Sequence, residues 1–258
     1  MKSDPFPLIA VCLALIGAAA AQEPSRGPDG GTGGTHVSGV EILAIPGKPF
    51  AAKTTTDWTR TLEGGNTVSL HLDAFLARDN RGRIYRERHK FVPAGTTDPA
   101  PLYEIHLTDP VAKTDLLCNG RTYVCILSDY KPRTSFEPTP EGTYDHDTRT
   151  LHREFLGADT IEGIYVQGTR ETTTVSEGVA GNERPMVSTR EFWYSDELET
   201  NLAVTRIDPI NGKQVIRLSN ISRTEPDPHL WDVPIGFRVR DLRVASRQQR
   251  YGSLVHNP

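Results

Sequence analysis

The sequence predicts a mainly β protein, an antiparallel meander with little helix. Three observations predict this fold. Apolar and polar residues alternate with a period of two in several segments, these segments are rich in β-branched and aromatic residues, and Gly, Pro, Asn or Asp separates them. A helical pattern is weak and confined to residues 241–250, which we interpret as a frayed tail.

The meander is most evident in residues 161–234, where we expect four strands at residues 164–175, 186–194, 202–207 and 213–221. In the first of these, Ile164 and Val166 share one face and Tyr165 lies on the other. Asn211-Gly212 predicts a hairpin before the last strand, because both residue types tolerate positive φ.

The first half of the chain predicts a similar series of strands. The domain is expected to start at residues 40–45, and strands are predicted at residues 50–62, 67–78, 83–92 and 102–107. The second of these has the clearest alternation. Its apolar face comprises Val68, Leu70, Leu72, Ala74 and Leu76.

A capped turn is predicted to end the meander. Asp227 can cap a short helical turn whose first residue is Pro228, and the chain then delivers Leu230 and Trp231 onto one end of the sheet. We therefore expect Trp231 to be largely buried and to close the open side of the sheet. Trp231, Trp58 and Trp193 are also candidate ligand-lining residues, with core packing as the alternative.

The first residues of the chain predict export. Lys2, an apolar run at residues 7–16 and a stretch of small residues are typical of a signal peptide over residues 1–21, cleaved before Ala21 or Gln22. Cys12 as a lipoprotein acceptor is the alternative. A Gly-rich linker (residues 22–40), a β domain (residues 41–240) and a basic tail (residues 241–258) are expected to follow, with no transmembrane segment after cleavage. The net charge of −4 argues against general nucleic-acid binding.

The cysteines left after export are Cys118 and Cys125, for which an oxidising compartment favours a disulfide. A tight turn at Asn119-Gly120 would not pair them. A four-residue loop from Gly120 to Tyr123 would place them opposite each other, and two free thiols are the alternative.

Motifs for catalysis or cofactor binding are missing from the sequence, so we expect no enzyme, cofactor or metal. Residues 129–147 are interpreted as an exposed insertion. Asp145-His146-Asp147 with nearby His152 is the metal alternative, against a solvated loop. His71, His89 and His106, like His152, lie in strand patterns and are interpreted as structural.

Several segments resemble a family of uncharacterised exported bacterial proteins over roughly residues 45–239. These segments are Pro49-Phe50, residues 78–83 with Arg86-Glu87, residues 108–112, 161–163, 168–170, Gly181-Asn182, residues 193–195 and residues 225–234. More loosely, the all-antiparallel plan and the ending Leu230-Trp231-x-x-Pro234 are similar to periplasmic lipoprotein carriers. That resemblance implies a strongly curved sheet or open half-barrel around an apolar concavity.

Two functions are therefore expected. The first is a non-catalytic binding protein of the periplasm or envelope that holds a lipid or other apolar ligand in a curved sheet. The second is an envelope interaction protein that uses an exposed sheet edge or the Arg-rich tail, with another envelope protein as partner. The arginines of the tail are Arg238, Arg240, Arg243, Arg247 and Arg250. A hydrolase of unknown type is a third hypothesis.

Overall fold

The structure is a computed structural model that describes residues 40–132 and 139–243. These residues form one 14-stranded sheet. Its strands are β1 (Phe50–Thr61), β2 (Thr67–Arg78), β3 (Ile84–His89), β4 (Val92–Pro93), β5 (Leu102–Asp109), β6 (Thr114–Asn119), β7 (Val124–Asp129), β8 (Gly142–Tyr144), β9 (Arg149–Ile161), β10 (Ile164–Val175), β11 (Met186–Ser195), β12 (Thr200–Asp208), β13 (Gly212–Ser222) and β14 (Arg238–Asp241). Short 3₁₀ turns occupy Glu63–Gly65 and Pro228–Trp231.

The chain fills the sheet from its middle outwards. The spatial order is β14-β7-β6-β5-β3-β2-β1-β13-β12-β11-β10-β9-β8, with β4 paired to β2. From β1 the chain passes outwards to β7, crosses to the opposite edge at β8, and returns strand by strand to β13, next to β1. β14 then pairs with β7 in parallel, whereas the other described pairs are antiparallel. The predicted mainly β antiparallel fold is confirmed.

The predicted strands agree closely with the observed ones, but the single strand predicted at residues 83–92 is divided into β3 and β4, and three further strands were missed. β9 was missed because most of its side chains are exposed or half-buried on both faces, so that its sequence lacks apolar alternation. β8 lies within the segment interpreted as an insertion. β14 lies just before and within the start of the predicted tail. Residues 1–39 and 244–258, which hold the predicted signal peptide, most of the linker and most of the tail, lie outside the described residues.

Two apolar clusters lie on opposite faces of the sheet. Neighbouring residues of β1 and β2 alternate between them, with Ala52 and Leu76 in one cluster and Ala51 and Ala77 in the other. The first cluster includes Val40, Ile42, Phe50, Ile84, Val204, Ile216 and Leu218. The second includes Tyr85, Ile105, Leu107, Leu116, Cys118 and Cys125.

The face of the first cluster is concave. The carbonyl of Glu41 accepts a hydrogen bond from Thr200 of β12 at 3.0 Å, and the next carbonyl, that of Ile42, accepts one from Arg86 of β3 at 3.3 Å. β3 and β12 are four strands apart, about 19 Å in a flat sheet. Two consecutive residues bridge them because the sheet curves strongly around residues 40–48, the concave cover.

The convex face has its own cover, residues 226–237. Leu230, Trp231 and Phe237 of this segment pack against the second cluster. The predicted cap is confirmed, since the Asp227 carboxylate accepts a hydrogen bond from the backbone N–H of His229 at 2.9 Å, with Pro228 at the start of the turn. The predicted role of Trp231 is wrong. The side chain is half-buried on the convex face, and it is the concave cover that fills one end of the concave side.

The predicted disulfide is present in the convex cluster. Cys118 and Cys125 are opposite each other in the β6–β7 hairpin and bonded, and both are fully buried. The connecting loop is the predicted four-residue one, residues 120–123, closed by a hydrogen bond from Tyr123 N–H to the Asn119 carbonyl. The left-handed φ of 55° at Tyr123 completes the turn.

Candidate functional site on the concave face

One end of the concave face is filled by the concave cover. Arg78 of β2 is fully buried there and donates to the carbonyls of Leu43, Lys48 and Leu198, at 3.1, 2.8 and 2.7 Å. Its guanidinium also lies 5.1 Å from the centre of the Phe50 ring. Burial lowers the pKa of Arg78 to about 10, and Glu199 opposes that shift. This end is a structural core.

The other end of the concave face carries charged side chains. The antiparallel register places Arg153, Glu171, Arg190 and Arg206 side by side on β9, β10, β11 and β12. We call these four residues the arginine row. Arg190 lies two residues before Phe192, and Arg206 two residues after Val204, so both share the face of the concave cluster.

The arginine row is partly buried and rich in positive charge. Arg153 lies 2.8 Å and Arg190 lies 3.5 Å from carboxylate oxygens of Glu171, and the exposed fractions of these three side chains are 21%, 22% and 15%. The guanidinium of Arg190 lies 4.9 Å from the centre of the Phe192 ring. Burial lowers the pKa of Arg206 to about 10. Burial also lowers the pKa of Arg190, although Glu171 opposes this effect. Both groups remain cationic at neutral pH.

The same cross-strand row becomes apolar on the far side of β13. Arg206 is opposite Gln214, Gln214 is opposite Trp58, and Trp58 is opposite Leu70. Trp58 and Leu70 are half-buried, and the Trp58 indole N–H donates to the carbonyl of Asn211 in the β12–β13 turn. One continuous line of side chains therefore runs from arginine to aromatic and aliphatic groups.

A second apolar region of the concave face lies on β6 and β7. Leu117, Val124 and Ile126 line a recess of about 240 Å³, together with Glu104, Cys118, Asn119 and Thr122. Leu117 is opposite His106, which is opposite Arg86, so these residues share the concave face. Leu117 is 40% exposed, which leaves apolar surface available to a ligand.

The structure does not bring the three predicted ligand-lining tryptophans together. Trp58 lies on the concave face beside the arginine row, and Trp231 lies on the convex face. Trp193 packs on Gly168, where a Cβ atom would come within 2.7 Å of the indole ring. Only a glycine allows this close contact. Trp58 therefore lies in line with the arginine row, Trp193 packs against the concave cluster and Trp231 against the convex cluster.

The histidines do not converge on a common site. His71, His89, His106 and His152 each contact a carboxylate, those of Asp57, Glu87, Asp115 and Glu141 respectively. Within residues 40–132 and 139–243, no group of three or more His, Cys, Asp or Glu residues is arranged to hold a metal ion. Asp145, His146 and Asp147 form a tight turn with φ of 52°, 57° and 67°.

The predicted interaction elements are placed as follows. Arg238 and Arg240 are exposed on β14. Arg243 donates a hydrogen bond to the Asp241 carboxylate at 2.8 Å. Arg247 and Arg250 lie outside the described residues. Among the helices of the described part of the chain, none is long and apolar enough to span a membrane.

The sequence interpretation missed the arginine row, although a signal was present. Arg206 lies two residues after Val204 on one face of a predicted strand, whereas Arg190 lies on the face opposite Val187 and Trp193, which the sequence had grouped together. A charged residue on the same face as Val204 is unusual unless it is paired or functional. Their alignment became visible only once the register of four strands was known.

No protein-family model and no curated protein matches the chain. Among solved structures, an uncharacterised conserved protein from Thermus thermophilus is similar with a TM-score of 0.42 and 10% identity, over 75% of this chain and 90% of that one. The Pseudomonas aeruginosa MucA/MucB complex gives a TM-score of 0.37 and 8% identity over 75% of this chain, which spans 57% of that chain.

A lipoprotein-sorting protein domain from Vibrio parahaemolyticus is also similar, with a TM-score of 0.28 and 7% identity over 72% of this chain and 89% of that one. The looser sequence resemblance to lipoprotein carriers predicted a structural similarity of this kind. Since these TM-scores lie below 0.5, function has to be argued from the side chains of this chain.

Proposed function

We propose that the protein is an exported, non-catalytic binding protein of the bacterial periplasm or envelope, which holds an apolar ligand on the concave face of its sheet. The observation that carries this proposal is the apolar surface left open on that face, in the recess at Leu117, Val124 and Ile126. A disulfide and a signal-peptide-like start of the chain support export.

The size of the recess sets what it can take. Sites for drug-sized ligands have volumes of about 300–1,000 Å³, and this recess measures about 240 Å³. A flexible acyl chain can use such a recess for part of its length and continue along the concave face. A bulky rigid ligand would not fit without displacement of side chains.

Leu117→Asp tests the proposal. The substitution places a charge in the recess, so we expect weaker binding of an apolar fluorescent probe. Val111→Asp is the matched control, because Val111 is 60% exposed in the turn between β5 and β6 and does not line the recess. Equal probe binding by both variants and the parent would refute the recess as the site. Native mass spectrometry of protein purified from its own envelope should show a bound lipid.

A second candidate function is favoured by one edge of the sheet. β9 is paired with β8 at Arg149 to Leu151, and within the described residues no strand pairs with the outer edge of residues 152–161. Phe155 is 67% exposed on this segment. A bare edge can accept a strand of an envelope partner. Phe155→Lys should abolish capture of such a partner and leave probe binding unchanged.

A further inference from the structure

The arginine row concentrates positive charge in a chain that is acidic overall. Its three arginines and one glutamate leave an excess of two positive charges, while the whole chain carries −4. The arginines that point away from the row on the same strands are more exposed. Arg170, for example, is 37% exposed and lies between Glu154 and Glu191 at 2.9 and 2.7 Å. Arg170 is thus flanked by two carboxylates, whereas the arginine row has one glutamate for three arginines.

The surroundings of the arginine row favour an anion that carries an apolar group. Arg190 and Arg206 are directly opposite each other on adjacent strands, so that their side chains are neighbours on one face of the sheet. Guanidinium groups match the oxygens of phosphate and carboxylate groups with paired hydrogen bonds. From Arg206, three strand steps along the row lead through Gln214 and Trp58 to Leu70, about 14 Å at the usual strand spacing.

We infer that the arginine row binds the anionic headgroup of a lipid, with Arg190 and Arg206 on the headgroup oxygens and the acyl chain lying over Trp58 and Leu70. This inference rests on the proposed function, because it names the headgroup class of an apolar ligand on the same concave face. The acyl chain would extend from Leu70 on β2 towards the recess at Leu117 on β6, three strands away. The partial burial of the row strengthens each charge interaction relative to bulk water. Gln214 lies at the change from charged to apolar side chains and is buried between them.

Two detergents with the same chain test the inference. Dodecyl phosphate is anionic and dodecylphosphocholine is zwitterionic, and each is titrated calorimetrically below its critical micelle concentration. We expect the parent protein to bind dodecyl phosphate at least about tenfold more tightly, the size of effect that charge-assisted hydrogen bonds produce. This preference should decrease with salt.

Two double variants assign the preference to the arginine row. Arg190→Gln with Arg206→Gln should remove the preference for dodecyl phosphate and leave the affinity for dodecylphosphocholine unchanged. Arg170→Gln with Arg217→Gln removes the same charge from the convex face of the same sheet and should retain the preference. Far-UV circular dichroism confirms that both variants are folded.

The outcomes are distinguishable. Equal affinity of the parent for both detergents, or a preference that survives in the Arg190/Arg206 variant, would overturn the headgroup assignment and leave the apolar site standing. If neither detergent binds, the proposed function fails as well. Inorganic phosphate should compete with dodecyl phosphate only at far higher concentration. Competition at equal concentration would make the row a site for a free anion and refute the lipid assignment.

Discussion

The concave and convex covers each complete an apolar cluster, but they are anchored in different ways. In the concave cover Val40 and Ile42 are 6% and 4% exposed, and backbone carbonyls accept hydrogen bonds from Arg78, Arg86 and Thr200. In the convex cover Trp231 is half-buried and contacts the guanidinium of Arg83 at 4.4 Å from its ring centre. Phe237 packs edge-on against Tyr123 at 5.2 Å.

This difference indicates where the stability of the sheet is concentrated. A cover whose polar backbone groups are satisfied from the sheet fixes the curvature, whereas a half-buried cover adds apolar contact to a curvature that already exists. Disruption of the concave cover should therefore cost more stability than disruption of the convex cover, and five measurements test this expectation.

Arg78→Met should give the largest effect. The variant loses a buried cation and leaves three backbone carbonyls without their donor, for an expected loss of about 3–5 kcal/mol in the free energy of unfolding. Urea unfolding of parent and variant measures it. The control is Arg81→Met in the following exposed turn, which should stay within about 0.5 kcal/mol of the parent. A small effect at Arg78 would mean that the concave cover does not anchor the sheet.

Ile42→Ala should come next. Ile42 is 4% exposed in the concave cluster, so that truncation removes buried methylene groups and leaves a cavity, at an expected loss of about 2–4 kcal/mol. The same unfolding experiment gives the value. Ile235→Ala is a matched control, since Ile235 is fully exposed in the convex cover and should have no measurable effect.

Loss of the disulfide should have an intermediate effect. The Cys118–Cys125 bond closes a short loop with a sequence separation of 7, and the chain-entropy estimate is roughly 2.5 kcal/mol at most. Cys118→Ala with Cys125→Ala, compared with the parent in urea, should show about this loss. Titration of the denatured, unreduced parent should find almost no free thiol at these two positions, and two free thiols would contradict the bond.

Trp231→Ala should have a smaller effect than Ile42→Ala, although tryptophan is the larger side chain. Because Trp231 is half-buried, we expect a loss of about 1–2 kcal/mol, below the range for a fully buried tryptophan. Asp227→Ala, which removes the cap, should cost about 1 kcal/mol. A loss at Trp231 that exceeds the loss at Ile42 would reverse the comparison between the covers.

These covers also mark the limit of what the sequence predicts. β2 was predictable because one of its faces is apolar, and β10 because Ile164 and Val166 alternate with polar residues before a β-branched Thr run. The Cys118–Cys125 hairpin was predictable because its spacing permits a single direct pairing through residues 120–123. The face of the sheet on which each cover packs was not predictable. Trp231 is apolar enough for either face, and its position depends on the connection from β13 to β14 at the far edge.

The candidate site was predictable only in part, for a related reason. Trp58 was one of three tryptophans predicted as candidates to line a ligand, with core packing as the alternative. The arginine row depends on residues that come from four strands and are separated by up to 53 positions between Arg153 and Arg206. Such non-local register is set by bulges and turns that one sequence does not specify.

The smallest expected effect is a pH dependence of the free energy of unfolding, which comes from a histidine on the convex face. On the convex side of β2, a hydrogen bond from His71 to Asp57 at 2.7 Å raises the pKa of His71 above its usual value of 6.5, against the effect of burial. The folded state therefore holds this proton more tightly than the unfolded state. The resulting stabilisation is fully present below about pH 6.5 and is lost as pH rises through the raised pKa. Arg190 and Arg206 of the concave row stay charged throughout this range.

His71→Asn should accordingly lower the stability of the protein at pH 5.5 and have a smaller effect at pH 8, in urea unfolding at both pH values. His146→Asn is the control, because His146 lies in an exposed turn with a φ of 57° that asparagine tolerates. It should leave the pH dependence of the parent unchanged. If His71→Asn lowers stability equally at both pH values, the side chain acts through packing and not through its charge, and the convex face has no pH-dependent contribution from this residue.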